Sequence, residues 1–536
     1  MKHLKSIISF VLILSVLCIP TGCSKKEKTP QDSIINYHIT YEPETLDPQI
    51  ADDDVSDMII LNIYEGLVRL NGNDDIIGGA AETWDISSDN KTYTFHLRNG
   101  LRWSNGEELT SSDFVYGFQR SVSKQTNSPT AKTLFSIKNA EQINSGSASV
   151  ESLGVTSPDK NTVVIELEYP DSEILTTLTT PPAMPCNKKF FENSVGQYGR
   201  TDDKILSNGA YCINEGKWAS GENIFLSKNE YYKGHNKPVP AGVKLNILQE
   251  TPDVCQSIID GDTDCGAIKN SDLSKAQNEK LNLTAFDDTI HGISINSEND
   301  VLKNINIRHA LLSAIDKNKL LKNLDDDCEP ADELIPDSAE IEDNSYRKLA
   351  GHVGYAVDED PSSLLNRGLA ESDLTSLPNL TILCSDDENT QTVVSNLIET
   401  WNTLTGAYFN KKPMSAGELG SRIKSGSYQI AITTLKISGT TPLGTLEAFT
   451  STADNNPGAY HSDEYDSMIN DLRKSLTKES AEKVKEAESM IINSSVFYPL
   501  YTQKRYYASA KNVRNVIFHP YGGDIDFMTA VKKEQS

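Results

Sequence analysis

The residues whose types could support catalysis or metal binding are not spaced for either. The nine histidines include no His-Glu-x-x-His motif and no pair at positions i and i+4, and no Gly-x-Ser-x-Gly motif occurs. Asp260, Asp262 and Asp264 begin like a calcium loop, but Cys265 and Ser271 stand where glycine and glutamate are needed. We predict that this acidic run is a turn between a helix and a strand. The sequence therefore predicts no enzyme, no catalytic residues, no metal site and no cofactor.

One cysteine has a different predicted chemistry, because the N-terminal segment resembles a bacterial lipoprotein signal. A basic start is followed by an apolar run at 7–19, which is shorter than the roughly 20 residues that span a membrane, and then by Cys23. In such signals the chain is cut before the cysteine, whose thiol is alkylated by diacylglycerol. Pro20 stands where the motif usually has leucine. We expect a signal peptide at 1–22, lipidation of Cys23 and a tether at 23–32, the alternative being an ordinary secretory signal.

Export would place the other cysteines where disulfides can form. None of them has Cys-x-x-Cys spacing, so a zinc or redox site is not predicted, and the sequence alone does not select a pairing. One or two structural bridges are expected, with the remaining cysteines as buried thiols. The six cysteines are Cys186, Cys212, Cys255, Cys265, Cys328 and Cys384.

Length and charge limit the classes of protein that fit. The chain has 536 residues, against about 100–200 for a typical domain, so two or more lobes are expected. Hydrophobic residues make up 37% and charged residues 24%, as in soluble globular proteins. The net charge of −26 repels phosphate backbones, so nucleic acid is not an expected partner.

The apolar pattern predicts a mixed α/β chain. Apolar residues alternate at period two in three segments, which predicts the strands 92–98, 163–169 and 243–247. Spacing of three and four residues predicts helices over 307–315, 465–472 and 481–491. Because strands and helices are interleaved along the chain, α/β lobes are favoured over separate α and β halves.

A series of short segments extends this prediction to a family. The segments are Glu42–Pro48, Ile63–Leu67, Ala81–Trp84, Tyr93–Gly106, Ser112–Arg120, Ser207–Tyr211, Asn229–Tyr232, Gly261–Asp264 and Ile307–Leu311. In order and spacing they resemble extracellular solute-binding proteins of family 5, which serve oligopeptide, dipeptide and nickel ABC importers. The resemblance runs from about residue 36 to the C-terminus and is strongest to the oligopeptide-binding proteins.

The resemblance implies a fold and a division into domains. The expected fold is α/β, a two-lobed periplasmic-binding-protein fold with three domains, of the type II, large peptide-binding class. Domain I would comprise 33–66, 186–288 and 503–536, domain II 67–185, and domain III 289–502. Ligand binding would close the two lobes about a hinge.

The resemblance also implies a function. We expect a lipid-anchored, monomeric binding protein at the outer face of the cytoplasmic membrane or in the periplasmic space. It would capture peptides or a peptide-like solute and deliver them to the permease and ATPase subunits of an ABC importer. The alternatives are a surface receptor or scaffold that has lost transport, and a binder of nickel or haem.

The expected ligand-binding residues depart from the family pattern. In oligopeptide binders, an aspartate in domain III pairs with the α-amino group of the peptide and a nearby tryptophan packs on its backbone. Here Ser438 aligns with that aspartate and Leu435 with that tryptophan, while Ala416 and Thr130 replace two further aromatic residues. Thr130, Leu435 and Ser438, together with the neighbouring Thr434, are therefore the predicted ligand-binding residues. Recognition of the α-amino group by the usual anchor is predicted to be lost.

Overall fold

A computed structural model describes residues 33–533 apart from a few short internal segments. The positions within this range that are not described are 235, 249–252, 288, 323, 325–327, 343, 356, 437–438, 454–455 and 521–524. The predicted signal peptide, the lipidation site Cys23, the tether at 23–32 and the predicted ligand residue Ser438 lie outside the described residues.

The strands of the described chain are numbered in chain order. They are β1 (Ile34–Ile39), β2 (Val68–Leu70), β3 (Ile76–Gly78), β4 (Ala81–Ile86), β5 (Thr92–Leu97), β6 (Val155–Asp159), β7 (Thr162–Glu166), β8 (Tyr211–Cys212), β9 (Trp218–Ala219), β10 (Asn223–Lys228), β11 (Gly242–Ile247), β12 (Cys265–Ile268), β13 (Asn282–Phe286), β14 (Thr289–Ile295), β15 (Cys328–Pro330), β16 (Glu340–Ile341), β17 (Asn344–Ser345), β18 (Leu380–Ser385), β19 (Phe409–Met414), β20 (Ile430–Lys436), β21 (Phe497–Gln503), β22 (Arg505–Ser509), β23 (Val513–Arg514), β24 (Ile517–Phe518), β25 (Ile525–Asp526) and β26 (Val531–Lys532).

The α-helices are numbered in the same way. They are α1 (Asp54–Ile63), α2 (Ser111–Val122), α3 (Ala140–Ser145), α4 (Ile174–Thr177), α5 (Lys188–Asn193), α6 (Val254–Asp260), α7 (Leu273–Asn278), α8 (Ile305–Ser313), α9 (Lys317–Leu320), α10 (Tyr346–Ala350), α11 (Pro361–Glu371), α12 (Glu388–Thr405), α13 (Ala416–Lys424), α14 (Leu443–Leu446), α15 (Asp463–Lys474) and α16 (Ala481–Ser494).

The first lobe is built on two sheets that share one core. The larger sheet has the strand order β13-β22-β12-β1-β11-β10-β8, with β9 beside β10, and the smaller has the order β4-β5-β7-β6. Ile35 and Val243 in the larger sheet belong to the same hydrophobic core as Phe95 and Ile165 in the smaller one. Trp103, which lies after β5, is fully buried in this core. The two sheets are therefore held together by continuous apolar packing.

The second lobe has its own sheet and its own cores. Its strand order is β15-β21-β14-β20-β18-β19, and the buried residues around it come from positions between 290 and 501. The chain passes between the lobes twice, from β13 to β14 and from β21 to β22. Two adjacent connections between separately packed bodies are the arrangement that permits hinge motion.

The predicted elements are found with small differences at their ends. β5, β7 and β11 coincide with the predicted strands, and α8, α15 and α16 with the predicted helices. Ala314 and Ile315 lie beyond the end of α8, because the Asp316 side chain accepts a hydrogen bond from the amide of Lys319 and starts the separate helix α9. The turn predicted at Asp260–Asp264 does connect α6 to β12.

The expectation of disulfide bridges is wrong for the described chain. Five of the six cysteines are buried free thiols, so no bridge forms within the set. Cys255 and Cys265 are part of the first-lobe core and Cys384 belongs to a second-lobe core. These side chains pack as small apolar groups. An oxidising environment permits disulfides but does not require that buried cysteines form them. The free thiols are Cys186, Cys212, Cys255, Cys265 and Cys384.

A buried ion pair joins the segment before α1 to helix α2 in the first lobe. The guanidinium of Arg120 donates to both carboxylate oxygens of Asp47, at 3.0 Å to Oδ1 and 2.6 Å to Oδ2. The two side chains are only 7% and 3% exposed, and the guanidinium lies 3.7 Å from the ring centroid of Phe191. Both residues belong to the segments that carry the family resemblance, which gives those segments a structural role.

Candidate functional site

The two large sheets meet at the edges where their parallel strands end. In the first lobe β1 runs parallel to β11 and β12, and in the second lobe β18 runs parallel to β19 and β20. The connections between the lobes join these edges, since β13 and β21 end there and β14 and β22 begin there. In open α/β sheets, ligands bind outside the carboxyl ends of the strands. The crevice between the two edges is therefore the candidate binding site.

Two of the predicted ligand residues lie in β20 near this edge. Thr434 is exposed and pairs with His291 of β14, whereas Leu435 is 5% exposed and packs with Ile290 in a second-lobe core. Neighbouring residues of a strand point to opposite faces of the sheet, so the two side chains do not share a surface. Thr130 lies in the first lobe, is partly buried, and has its hydroxyl 3.3 Å from that of Ser128.

A histidine that the sequence did not single out lies beside Thr434. The imidazole of His291 stacks on the ring of Tyr501 with centroids 4.6 Å apart and planes 4° from parallel. Burial lowers the pKa of His291 to about 4, and the nearby Asp387 only partly opposes this effect. The ring is therefore neutral at pH 7 and can both donate and accept a hydrogen bond.

A large cavity begins at the connections between the lobes. It has a volume of about 1040 Å³ and is lined near the connections by Asp287, Ile290 and Thr502. The aromatic rings of Tyr355 and Tyr498 also line it. The volume is at the upper end of the roughly 300–1,000 Å³ typical of pockets for small ligands. The carboxylates that line the rest of it belong to Glu329, Asp332, Glu333 and Asp337.

The lobes contact each other through a cluster of charged and polar side chains that we call the interlobe cluster. It consists of Asp171 and Glu173 from the first lobe, just before and at the start of α4, and of Thr441, Glu447 and Arg473 from the second. Arg473 Nε lies 3.2 Å from Asp171 Oδ1, and its Nη1 lies 3.2 Å from Glu447 Oε1. The hydroxyl of Thr441 donates to Glu173 Oε1 at 2.9 Å. These contacts link the lobes on the side formed by the smaller first-lobe sheet.

Further contacts extend this interface beyond the interlobe cluster. The amide of Ser172 donates to the carbonyl oxygen of Arg473 at 3.2 Å. Lys132 Nζ donates to the carbonyl oxygen of Thr452 at 3.1 Å, so the predicted ligand residue Thr130 lies two positions from an interlobe contact. Lys474 Nζ lies 5.4 Å from the ring centroid of Tyr169. No sequence motif indicated these residues.

Contact between the lobes changes the acidity of the cluster. Burial raises the pKa of Glu173 to about 7, with smaller contributions from the negative charges of Glu447 and Asp171, while the Thr441 hydrogen bond opposes the rise. Burial likewise raises the pKa of Glu447, which Arg473 partly offsets. A carboxyl group that is covered by the other lobe is therefore easier to protonate than one in open solvent.

We predict that, without ligand, the closed arrangement of the lobes becomes more populated as the pH falls from about 8 to about 6. The pKa of Glu173 is about 7 in this structure, above its ordinary value of 4.5, and we expect it to return toward that value when the lobes separate and water reaches the carboxyl group. The closed form thus takes up a proton that the open form does not, and this advantage disappears as the pH rises through 7. Small-angle scattering should show a radius of gyration that becomes smaller as the pH falls through this range. A profile that is flat, or that Glu173→Gln leaves unchanged, would contradict the prediction.

Neither a metal site nor a membrane-spanning helix occurs in the part of the chain that the structure describes. No group of three or more histidine, cysteine, aspartate or glutamate side chains there could hold a metal ion. No helix there is long and apolar enough to cross a membrane.

Comparison with known proteins places this architecture in a family. The model of the bacterial extracellular solute-binding proteins, family 5 (middle region), matches residues 75–457. The dipeptide-binding protein DppE of Bacillus subtilis is 24% identical over 94% of this chain and 92% of its own. The oligopeptide-binding protein OppA of the same organism is 26% identical over 99% of this chain and 100% of its own.

Comparison with a solved structure shows that the similarity includes the fold. The substrate-binding domain of an oligopeptide ABC transporter from Bacillus anthracis superimposes with a TM-score of 0.77 and 25% identity, over 95% of this chain and 100% of that one. The expected α/β, two-lobed periplasmic-binding-protein fold is confirmed. Since the family model also covers more than half of the sequence, the chain belongs to the bacterial extracellular solute-binding proteins of family 5, which are extracellular or periplasmic binding proteins and not enzymes.

Proposed function

We propose that the protein is the lipid-anchored, monomeric solute-binding component of an ABC importer, which captures peptides or a peptide-like solute between its lobes and delivers them to a membrane permease. The names of the two Bacillus subtilis relatives, which bind dipeptides and oligopeptides, support the ligand class. The crevice between the carboxyl edges, joined by two connections, supports capture by hinge closure. A ligand stabilises the closed form only through the extra contacts that it makes there.

The observation that carries this proposal is that two separately packed lobes face each other at the carboxyl edges of their sheets and are joined by two adjacent connections. The interlobe contacts are a few polar groups on one side, while the 1040 Å³ cavity opens beside the connections. Apart from Asp287, in the connection between β13 and β14, the residues that line this cavity belong to the second lobe, so it would form the second-lobe side of the binding space.

The division into three domains belongs to the same proposal. Domain I comprises 33–66, 186–288 and 503–536, domain II 67–185, and domain III 289–502. Every strand of the larger first-lobe sheet falls in the segments of domain I, and every strand of the smaller sheet falls in domain II. The second-lobe sheet falls in domain III, apart from the last residue of β21. Thr130, Thr434, Leu435 and Ser438 remain the proposed ligand residues.

Capture of ligand from a defined mixture tests the function. The protein, produced from residue 24 onward without the lipid, is mixed with a pool of two- to five-residue peptides, passed through a desalting column, and analysed by mass spectrometry. We expect retained peptides and a rise in the melting temperature, because a ligand that binds only the folded protein stabilises it. If peptides are neither retained nor stabilising, peptide capture is wrong.

We predict that Cys23→Ser releases the protein from the membrane. Without the thiol no diacylglycerol can be attached, and the apolar run at 7–19 is too short to anchor the chain by itself. Cell fractionation and labelling with radioactive palmitate measure the effect. The matched control is Cys18→Ser, a change inside the proposed signal peptide that should leave the protein labelled and membrane-bound. Labelling of the Cys23→Ser protein would contradict lipidation at this residue.

A further inference from the structure

A second cavity lies within the first lobe, apart from the crevice. Its volume is about 590 Å³, inside the roughly 300–1,000 Å³ range of pockets for small ligands. It is lined by helix α2, which packs on β6 and β7 of the smaller sheet, by the chain that follows α2, and by the segments 47–50 and 191–200. All of its lining residues belong to the first lobe, and none of them makes the interlobe contacts described above. A molecule bound here would therefore occupy a site separate from the crevice.

Three aromatic rings form an apolar wall of this cavity. The ring of Phe191 lies edge-to-face with those of Tyr116 and Tyr198, with centroids 6.1 and 5.6 Å apart. The guanidinium of Arg120 lies 3.7 Å from the centroid of Phe191 and is held there by its hydrogen bonds to Asp47. Because these contacts order the wall before any ligand arrives, a flat apolar group can pack on it at little entropic cost.

The ionic groups that line the cavity leave one positive charge unpaired. They are the carboxylate of Asp47 and the guanidinium groups of Arg120 and Arg200. Asp47 and Arg120 form the buried ion pair, whereas Arg200 is exposed and its guanidinium has no ion pair or hydrogen bond among the described residues. The side chains of Gln119 and Thr126 likewise have no hydrogen-bond partner in the described chain. In a chain with a net charge of −26 this is a local excess of positive charge, and an anion complements it.

The cavity runs from the surface into the lobe. Gly196 and Arg200 are exposed, while Arg120 and Tyr198 are 7% and 3% exposed. Beside this rim Val195 has a φ of 51°, a left-handed conformation that β-branched residues rarely adopt, and its side chain is 84% exposed. Strained backbone of this kind is concentrated at binding sites, so the rim has the character of a functional surface.

We propose that this cavity binds a small aromatic carboxylate, whose ring packs on the aromatic wall and whose carboxylate pairs with Arg200. The site goes beyond the proposed capture of peptides, because it lies inside one lobe and can be filled whether the lobes are open or closed. The planar guanidinium presents paired N–H donors that match the two oxygens of a carboxylate. Edge-to-face and offset contacts between aromatic rings add to the burial of apolar surface. The ring and the charge together define the ligand class.

The test compares a charged probe with its neutral counterpart. The probes are α-naphthaleneacetate and α-naphthaleneacetamide, and equilibrium dialysis against the protein from residue 24 onward measures their affinities. We expect the native protein to bind the carboxylate about fivefold more tightly than the amide, the upper end for an ion pair that water can reach. Arg200→Met should abolish this preference and leave the affinity for the amide unchanged. Tyr116→Leu should weaken the binding of both probes by about two- to tenfold.

The matched control is Arg514→Met, which removes another exposed arginine of the first lobe that does not line the cavity. It should keep the preference for the carboxylate, and circular dichroism shows that each variant is folded. The proposal is wrong if the native protein binds neither probe, if Arg200→Met keeps the preference, or if Arg514→Met also loses it. Displacement of the carboxylate probe by saturating peptide would place it in the crevice and overturn the proposal as well. If peptides are not captured but the probe still binds through Arg200, the proposed function is wrong and this second site stands.

Discussion

Replacing Arg120 with methionine should lower the free energy of unfolding of the first lobe by about 3–5 kcal/mol, because the substitution leaves the buried carboxylate of Asp47 without a positive partner. The side chains of Arg120 and Asp47 are 7% and 3% exposed, and the two terminal nitrogens of the guanidinium donate to the carboxylate. The stacking of the guanidinium on Phe191 would be lost as well. Urea denaturation followed by tryptophan fluorescence measures the change as a lower transition midpoint.

The chain offers a matched exposed ion pair in the same lobe as a control. Lys160 and Glu108 form a contact of 2.7 Å, but their side chains are 63% and 55% exposed. Lys160→Met should therefore leave the transition midpoint almost unchanged, because exposed ion pairs contribute little to stability. Adding Asp47→Asn to Arg120→Met should recover part of the loss, since no unpaired charge then remains buried. Equal effects of the two single substitutions would show that burial does not decide the importance of the Arg120 pair.

The fold was predictable where the sequence carries a local pattern. Alternation at period two identified β5, β7 and β11, since each buries one face against the core of the first lobe. The arrangement of strands in the sheets was not predictable in this way. β1 pairs with β11 across more than two hundred residues, and nothing near either strand specifies its partner. The two-lobed architecture came from the resemblance to a family.

The ligand-binding residues were harder to predict than the strands, because a local pattern does not show which residues the folded chain brings together. The family pattern predicts Leu435 as a ligand residue, with Thr434 as its neighbour, yet the two side chains lie on opposite faces of β20, with Leu435 in the core. Strict alternation along a strand already implies that only one of two neighbours can face a given surface. The interlobe cluster could not be predicted, because Asp171 and Arg473 are 302 positions apart and only the packing of the two lobes brings them together.

The interlobe cluster leads to the second large prediction. Arg473→Met should weaken closure strongly, because closing the lobes would then bury Asp171 and Glu447 with no positive charge between them. Removing one partner of a buried ion pair typically costs about 3–5 kcal/mol, but Arg473 is 22% and Glu447 35% exposed, so we expect the lower end of that range. Ligand affinity would fall by about 100-fold. Isothermal titration with a retained peptide measures this loss, and small-angle scattering should show that the ligand no longer reduces the radius of gyration.

Removing a negative charge from the interlobe cluster, instead of a positive one, tests whether charge balance controls closure. Glu173→Gln removes surplus negative charge, so in the absence of ligand it should favour the closed arrangement, whereas Arg473→Met should favour the open one. Arg367→Met is the control within the second lobe, since its guanidinium pairs with Glu359 at the surface, with side chains 45% and 42% exposed. That change should leave closure and affinity unaltered. If Arg473→Met and Glu173→Gln shift the radius of gyration in the same direction, charge balance at the interlobe cluster does not control closure, and simple loss of contact area would account for both effects.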